Sequence, residues 1–93
     1  MDQIEIHPYD PHWPRRFREE ASRIDAALGE LSLTIEHVGS TSVPGLVAKP
    51  VIDIMVGLHN FDRGQDVVVA LERLGYAHWR EDPAKPERLY FVL

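Results

Sequence analysis

A hydroxyl-rich turn is the first feature of this sequence whose residue types could do chemistry. The turn is "GSTS", Gly39 to Ser42, and it follows an alternating run that is typical of a β-strand. Gly39 has no side chain and can take positive φ, so a ligand can approach the backbone closely. The hydroxyls and amides that follow can donate hydrogen bonds to a phosphate. The local sequence leaves a second interpretation open, in which Ser40 or Thr41 only caps a helical turn that "PG" then ends.

Asp53 is the second such feature. Twelve residues separate it from Ser40, and it stands within "VIDIMVGL", residues 51–58, which are otherwise apolar. A run of this kind predicts a strand that is covered on both faces. A lone carboxylate there is costly to bury unless it is paired, hydrogen-bonded or bound to a metal. The spacing therefore favours the phosphate-binding interpretation of the turn, with Asp53 near it as a paired, hydrogen-bonded or metal-bound carboxylate.

Two neighbouring side chains are further candidates. His37 lies two residues before Gly39 and is expected to share its strand face, so it could reach Asp53 as a proton carrier or ligand. A hydrogen-bonded structural histidine is the alternative. Lys49 could neutralise a phosphate, with a solvated loop lysine as the alternative. Glu36 is expected to point to the face opposite His37. The predicted set comprises catalytic residues, Asp53 and His37, phosphate-binding residues, Gly39, Ser40, Thr41, Ser42 and Lys49, and one metal ligand, Asp53.

Periodicity predicts the elements that must position these residues. Apolar residues recur every three or four positions and predict a helix from Pro14 to Gly29 and a second one, capped by Asn60, that ends at Gly75. Strands are predicted at residues 3–7, 31–38 and 51–58, the last of them central, and a hairpin from "YAHWR" and "RLYFVL". The order β-α-β-turn-β-α-β-β predicts an α+β fold, with helices packed on a mixed sheet.

Composition limits the classes of function. Ninety-three residues suit a single domain, 1–93, and a net charge of −5 argues against a nucleic-acid partner. The absence of cysteine excludes disulfides and thiolate chemistry. No apolar run is long enough to span a membrane, and the N-terminus is acidic, so a cytoplasmic location is expected. The last predicted strand reaches Leu93 without a turn signal. We therefore expect a domain that lacks its C-terminal part, or a homo-oligomer formed through that strand.

Two stretches together resemble the GrpB family, which is placed in the nucleotidyltransferase superfamily. They are "YDPHWPRRF" and "IEHVGSTSVPGLVAKPVIDIMV", and the resemblance covers essentially the whole chain. It implies a nucleotidyltransferase-like fold, with the superfamily's Gly-Ser pair on Gly39 and Ser40 and its first metal-binding carboxylate on Asp53. The second carboxylate falls on Met55, and a thioether is a poor ligand for magnesium.

Three functional hypotheses follow from these observations. The first is an enzyme that transfers a nucleotidyl or phosphoryl-type group with a metal at Asp53. The second is a domain that binds a nucleotide or another phosphorylated small molecule without turning it over. The third is an accessory module, because the resemblance implies that such domains are fused to dephospho-CoA kinase in some bacteria. We favour a nucleotidyltransferase-like domain that binds a phosphorylated ligand with magnesium, and the departure at Met55 leaves catalysis open.

Overall fold

The computed structural model describes residues 5–81, 85 and 87–93. These residues form two α-helices and four β-strands, and three short 3₁₀ turns connect them. The helices are α1 (Trp13–Leu28) and α2 (Gly64–Arg73), the strands are β1 (Ser32–Val38), β2 (Asp53–Leu58), β3 (Ala77–Glu81) and β4 (Arg88–Val92), and the turns are Gly29–Leu31, Ser40–Ser42 and Phe61–Arg63. The predicted α+β class is confirmed.

The four strands form one sheet in the order β1-β2-β4-β3. Every described pair of strands runs antiparallel, whereas a mixed sheet was predicted. β4 inserts between β2 and β3, so both of its edges are paired. The open edges of the described sheet belong to β1 and β3, and association into a homo-oligomer stays a prediction.

The core lies between the two helices and one face of the sheet. The register places Ile54 opposite Phe91 and Val56 opposite Leu89, and all four side chains are buried. The buried residues of the helices pack against them: Trp13, Ile24 and Leu28 from α1 and Val67, Val68 and Leu71 from α2. Five of the six residues of β2 are buried, as its predicted central position requires. Its alternate residues, Asp53, Met55 and Gly57, lie on the other face.

The ends of the helices follow from local hydrogen bonds. α1 begins at Trp13, whose N–H donates to the carbonyl of Asp10 at 3.0 Å, and it ends at Leu28, where Gly29 follows with a φ of +54°. The Asn60 carboxamide accepts from the N–H of Asp62 at 2.9 Å, so Asn60 caps the 3₁₀ turn, and α2 starts only at Gly64. Neither α1 nor α2 is long and apolar enough to cross a membrane.

The predicted first strand, residues 3–7, is described only in part. Residues 3 and 4 lie outside the described residues. His7 forms a single antiparallel bridge with Ala48, with N–H to carbonyl distances of 2.8 and 3.0 Å. This bridge fixes the segment that leads from the hydroxyl-rich turn to β2.

Candidate functional site

Gly39 is a glycine for two separate reasons. Its backbone has a φ of +75° and a ψ of −171°, a region that residues with a side chain almost never adopt. A Cβ built on Gly39 would also lie 2.3 Å from Oδ2 of Asp53 and 3.1 Å from its Cγ. The carboxylate of Asp53 therefore occupies the space that a side chain at position 39 would need. The co-occurrence of these two residues in the sequence has a direct physical cause.

Four of the predicted site residues line one pocket. Ser40, Thr41, Lys49 and Asp53, together with Val51, enclose a volume of about 160 Å³. Pockets for drug-sized ligands span about 300–1,000 Å³, so this one has room for a phosphate group rather than for a whole nucleotide. The remainder of a larger ligand would lie outside the pocket, against the surrounding surface.

Asp53 and Lys49 bring opposite charges to this pocket. Burial raises the pKa of the Asp53 carboxyl above its usual value of 3.8, and the Lys49 ammonium partly opposes that shift. Among the described residues, no hydrogen bond or ion pair reaches the Asp53 carboxylate. Lys49 is exposed. Each charge can therefore accept a partner of opposite sign from solution, a cation at Asp53 and an anion at Lys49.

Thr41 is the one fully buried polar residue among those described, with 1% of its surface exposed. Its hydroxyl donates to the carbonyl of Val51 at 2.9 Å. A hydroxyl has one proton, so Nε2 of His37, also at 2.9 Å, must be the donor in the second contact. The ring of His37 stacks on Phe17, with centroids 4.9 Å apart. Burial lowers the pKa of His37, which favours the neutral ring that carries its proton on Nε2.

The structure does not bring His37 and Asp53 together. The register pairs His37 with Ile54, on the face covered by the helices, and pairs Val38 with Asp53, on the other face. Directly paired residues share a face. The prediction that His37 reaches Asp53 across the neighbouring strand is therefore wrong. His37 instead holds Thr41 in place, as the alternative interpretation proposed.

The hydroxyls of the turn have different partners. Ser42 Oγ donates to the carbonyl of Gly39 at 2.5 Å, and the N–H of Ser42 donates to the same oxygen at 3.1 Å. Ser42 therefore closes the 3₁₀ turn, as Thr41 anchors it. Ser40 is exposed and lines the pocket. The hydroxyls of Thr41 and Ser42 thus stabilise the turn itself, as the capping interpretation proposes for this stretch. The hydroxyl of Ser40 is available for a ligand.

Glu36 is a residue whose position the sequence analysis undervalued. It pairs directly with Met55 in the register, so its carboxylate lies on the same face of the sheet as Asp53. No signal in the sequence could have found it, because the register of β1 on β2 decides which residues of β1 share a face with Asp53. The described residues contain no group of three or more His, Asp or Glu side chains that could hold a metal ion. Mg²⁺ can still bind through one carboxylate when phosphates and waters complete its coordination.

A larger pocket of about 340 Å³ lies elsewhere, between α1 and β1. Its lining contains one titratable side chain, Asp25, and its other residues are small, apolar or hydroxyl-bearing. It therefore offers fewer charged groups than the pocket at the turn, although it is larger.

The model of the family described as GrpB protein matches residues 3–93. The chain belongs to the GrpB family. It is 50% identical over 91 residues to a UPF0157 protein of Pseudomonas aeruginosa, and the match covers 98% of this chain and 37% of that protein. It is 34% identical over 90 residues to a dephospho-CoA kinase of Mycolicibacterium paratuberculosis, covering 90% of this chain and 22% of the kinase.

A solved structure shows the same fold. It is the crystal structure of conserved protein GrpB from Enterococcus faecalis, which matches with a TM-score of 0.71 and 39% sequence identity. The match covers 80% of this chain and 45% of that one. The matched region thus covers less than half the length of each of these bacterial relatives. The family predicted from the sequence is confirmed.

Replacing Gly39 tests the contact with Asp53. We expect Gly39→Ala to lower the free energy of unfolding by about 1–3 kcal/mol through backbone strain and by about as much again through the clash with Asp53. Gly29→Ala is the matched control, because Gly29 also has positive φ but nothing within 4 Å of the added Cβ. Urea unfolding of both variants measures the difference. Equal losses at the two positions would contradict the crowding at Gly39.

Replacing Thr41 tests its anchoring role. Thr41→Val keeps the shape but leaves the Val51 carbonyl and the His37 N–H without their partner, so we expect it to lower the free energy of unfolding by about 2–4 kcal/mol. Thr41→Ser keeps the hydroxyl and should cost about 1 kcal/mol for the lost methyl group. Chemical unfolding compares the two. A valine variant as stable as the serine variant would show that the hydroxyl carries no such role.

The raised pKa of Asp53 predicts a pH dependence. Because the folded state binds the proton of Asp53 more tightly than the unfolded state, this residue contributes stability at low pH that is lost as pH rises from 3.8 through the raised value. We expect the stability of the wild type relative to Asp53→Asn to fall over that range and then level off. Urea unfolding of both proteins from about pH 3 to pH 7 measures it. Parallel pH profiles would mean that the pKa of Asp53 is unchanged by folding.

Proposed function

We propose that this chain is a ligand-binding domain that holds the phosphate of a nucleotide, or of another phosphorylated small molecule, together with Mg²⁺. The observation that carries the proposal is the convergence of Ser40, Lys49 and Asp53 on one pocket. The contact between Gly39 and Asp53 supports it, because the absence of a side chain at Gly39 allows the Asp53 carboxylate to lie against the turn. A cytoplasmic location, where nucleotides are abundant, is part of the same proposal.

Each side chain has a distinct part in the proposed site. The Lys49 ammonium neutralises the phosphate, and the Ser40 hydroxyl donates a hydrogen bond to it. Asp53 supplies the carboxylate oxygens for Mg²⁺, which usually binds one or two carboxylates together with ligand phosphates and retains several waters. With a single carboxylate in the pocket, we expect the metal to bind well only when the phosphate is present.

The raised pKa of Asp53 gives a second argument for this role. Burial raises the pKa of Asp53, so the ionised carboxylate weakens the fold at neutral pH in the absence of a partner. A cation or a bound metal–phosphate unit would reverse that effect. Asp53 is thus better suited to binding a ligand than to holding the fold together.

Nucleotidyl transfer is the catalytic form of the same proposal. Two-metal phosphoryl chemistry uses further carboxylates to clamp the attacking and leaving oxygens. Met55 occupies the expected second position on β2, and Glu36 is the carboxylate that lies opposite it on β1. Membership of the nucleotidyltransferase superfamily and catalytic turnover both remain part of the proposal. Mg²⁺, when bound, would neutralise charge that develops on the phosphate.

A non-catalytic accessory role is the second candidate. The match to dephospho-CoA kinases of two mycobacterial species favours it, since this chain corresponds there to a part of a longer kinase chain. In that role the domain would support folding or assembly of its partner, and the pocket at the turn would need no ligand.

Thermal melts with nucleotide separate these candidates. At a hundredfold excess over Kd, ATP with Mg²⁺ should stabilise the wild type by about 2.7 kcal/mol. Lys49→Gln should lose the shift with and without metal, whereas Asp53→Asn should lose only the part that depends on Mg²⁺. Lys85→Gln is the control. The carbonyl of Lys85 accepts a hydrogen bond from the N–H of Arg88, and Arg88 pairs with Gly57, at the end of the β2–β4 pair opposite Asp53. Adenosine, which carries no phosphate, should have little effect.

The same melts can contradict the proposal. If ATP, other nucleotides and inorganic phosphate leave the melting temperature unchanged with and without Mg²⁺, the pocket does not bind phosphate. The accessory role would then be the better account of this domain.

A further inference from the structure

Exposed apolar side chains cluster beside the phosphate pocket. The large hydrophobic residues that are most exposed among those described are Ile6, Val43, Leu46, Val47, Val69 and Trp79. The first four belong to residues 43–47 and to the segment that bridges to them through His7 and Ala48. We call Ile6, Val43, Leu46 and Val47 the apolar rim. Their exposed fractions lie between 42% and 62%.

The bridge places part of the rim next to Lys49. Ala48 is buried, so its neighbours in an extended segment, Val47 and Lys49, point outward on one common face. The bridge of His7 with Ala48 also brings Ile6, the neighbour of His7, to this segment. Lys49 therefore shares its outward face with the exposed side chain of Val47, and Ile6 belongs to the segment that is paired beside them.

A tight turn presents the rest of the rim. The N–H of Leu46 donates to the carbonyl of Val43 at 3.2 Å. Pro44 and Gly45, with a φ of +82° at Gly45, have the features of a type II β-turn, which brings the residues at its two ends close together. Proline makes this turn rigid, so Val43 and Leu46 are held in the exposed position before any ligand arrives.

We propose that the apolar rim binds the non-phosphate part of the ligand, and that the ligand is a phosphate ester with an aliphatic or aromatic group close to its phosphate. This inference rests on the proposed function, because it assumes a phosphate in the pocket. Exposed apolar residues that are grouped in one region are typical of binding sites, whereas single exposed apolar residues are ordinary protein surface. Lys49 belongs to both surfaces, since it lines the pocket and follows Val47 by two residues in the bridged segment. A pocket with room for a phosphate group leaves the remainder of the ligand at this rim.

A series of phosphate monoesters tests the proposal directly. Binding of inorganic phosphate, methyl phosphate, butyl phosphate and phenyl phosphate is measured by calorimetry with Mg²⁺ present. Full burial of one methylene is worth about fourfold in affinity, and an open surface buries each methylene only in part. We therefore expect butyl phosphate to bind about tenfold more tightly than methyl phosphate.

Three variants test which residues produce the gain in affinity from methyl to butyl phosphate. Val47→Ser and Leu46→Ser should reduce the gain from methyl to butyl phosphate to about twofold and leave the affinity for inorganic phosphate unchanged. Val69→Ser is the matched control, since Val69 is an exposed valine on α2 and should keep the full gain. Sedimentation of the wild type and of Val47→Ser, without ligand, reports whether the rim joins two copies of the chain instead.

Each outcome decides the proposal. Equal affinity for all four esters would overturn the apolar rim as a ligand subsite while leaving the phosphate site standing. No binding of any phosphate would overturn the proposed function, and this inference with it. A wild type that dimerises while Val47→Ser is monomeric, with the same ester series in both, would assign the rim to self-association and overturn the proposal.

Discussion

The approach of the Asp53 carboxylate to the backbone of Gly39 is the contact on which the rest of this site depends. An oxygen of Asp53 occupies the space of a Cβ at position 39, so the chain can pass there only as glycine, and only with the backbone that glycine permits. That backbone ends β1 at Val38 and turns the chain into Ser40–Ser42. As a consequence Ser40 and Lys49 come to the same pocket as Asp53. The same contact leaves the Asp53 carboxylate partly buried, with a raised pKa and without a hydrogen bond from a described residue.

A series of partly buried contacts on the helix side of the sheet holds the hydroxyl-rich turn in place. Phe17 on α1 packs on the His37 ring, His37 donates to Thr41, and Thr41 donates to the carbonyl of Val51 just before β2. These contacts link the first helix, the first strand, the turn and the entry to the central strand. Because each group is partly or wholly buried, the loss of one member leaves another without a partner. His37 thus acts on the site through the position of the turn.

Local patterns in the sequence predicted most of the elements but not their arrangement. Helices and strands were predicted from periodicity, and the placement of the Gly39–Ser42 turn and Asp53 in one site was predicted from their spacing and from the family resemblance. The direct contact between Gly39 and Asp53 was not predicted. The strand order was not, because the insertion of β4 between β2 and β3 depends on tertiary packing. The register of β1 on β2 was not readable either, and a register shifted by one residue moves every side chain to the other face. This is why His37 was expected beside Asp53 and why Glu36 was undervalued.

Binding and catalysis make different demands on the sheet face that carries Asp53. Binding a metal–phosphate unit needs Asp53, Lys49 and the turn, which converge in the structure. Transfer needs further carboxylates on that face, where Glu36 stands opposite Met55. The match covers 37% of the Pseudomonas aeruginosa relative and 45% of the Enterococcus faecalis chain, so most of each relative lies outside the comparison. The described residues therefore supply the groups for phosphate binding, which we propose as the function of this site.

A crystal structure with a non-hydrolysable nucleotide and Mn²⁺ is the most direct test of phosphate and metal binding at this pocket. Mn²⁺ replaces Mg²⁺ at oxygen ligands and is located by its anomalous signal. We predict an anomalous peak at the Asp53 carboxylate, with a phosphate oxygen within hydrogen-bonding distance of Lys49 and Ser40. An ordered pocket with nucleotide and metal bound at another surface, or bound nowhere at saturating concentration, would contradict the account.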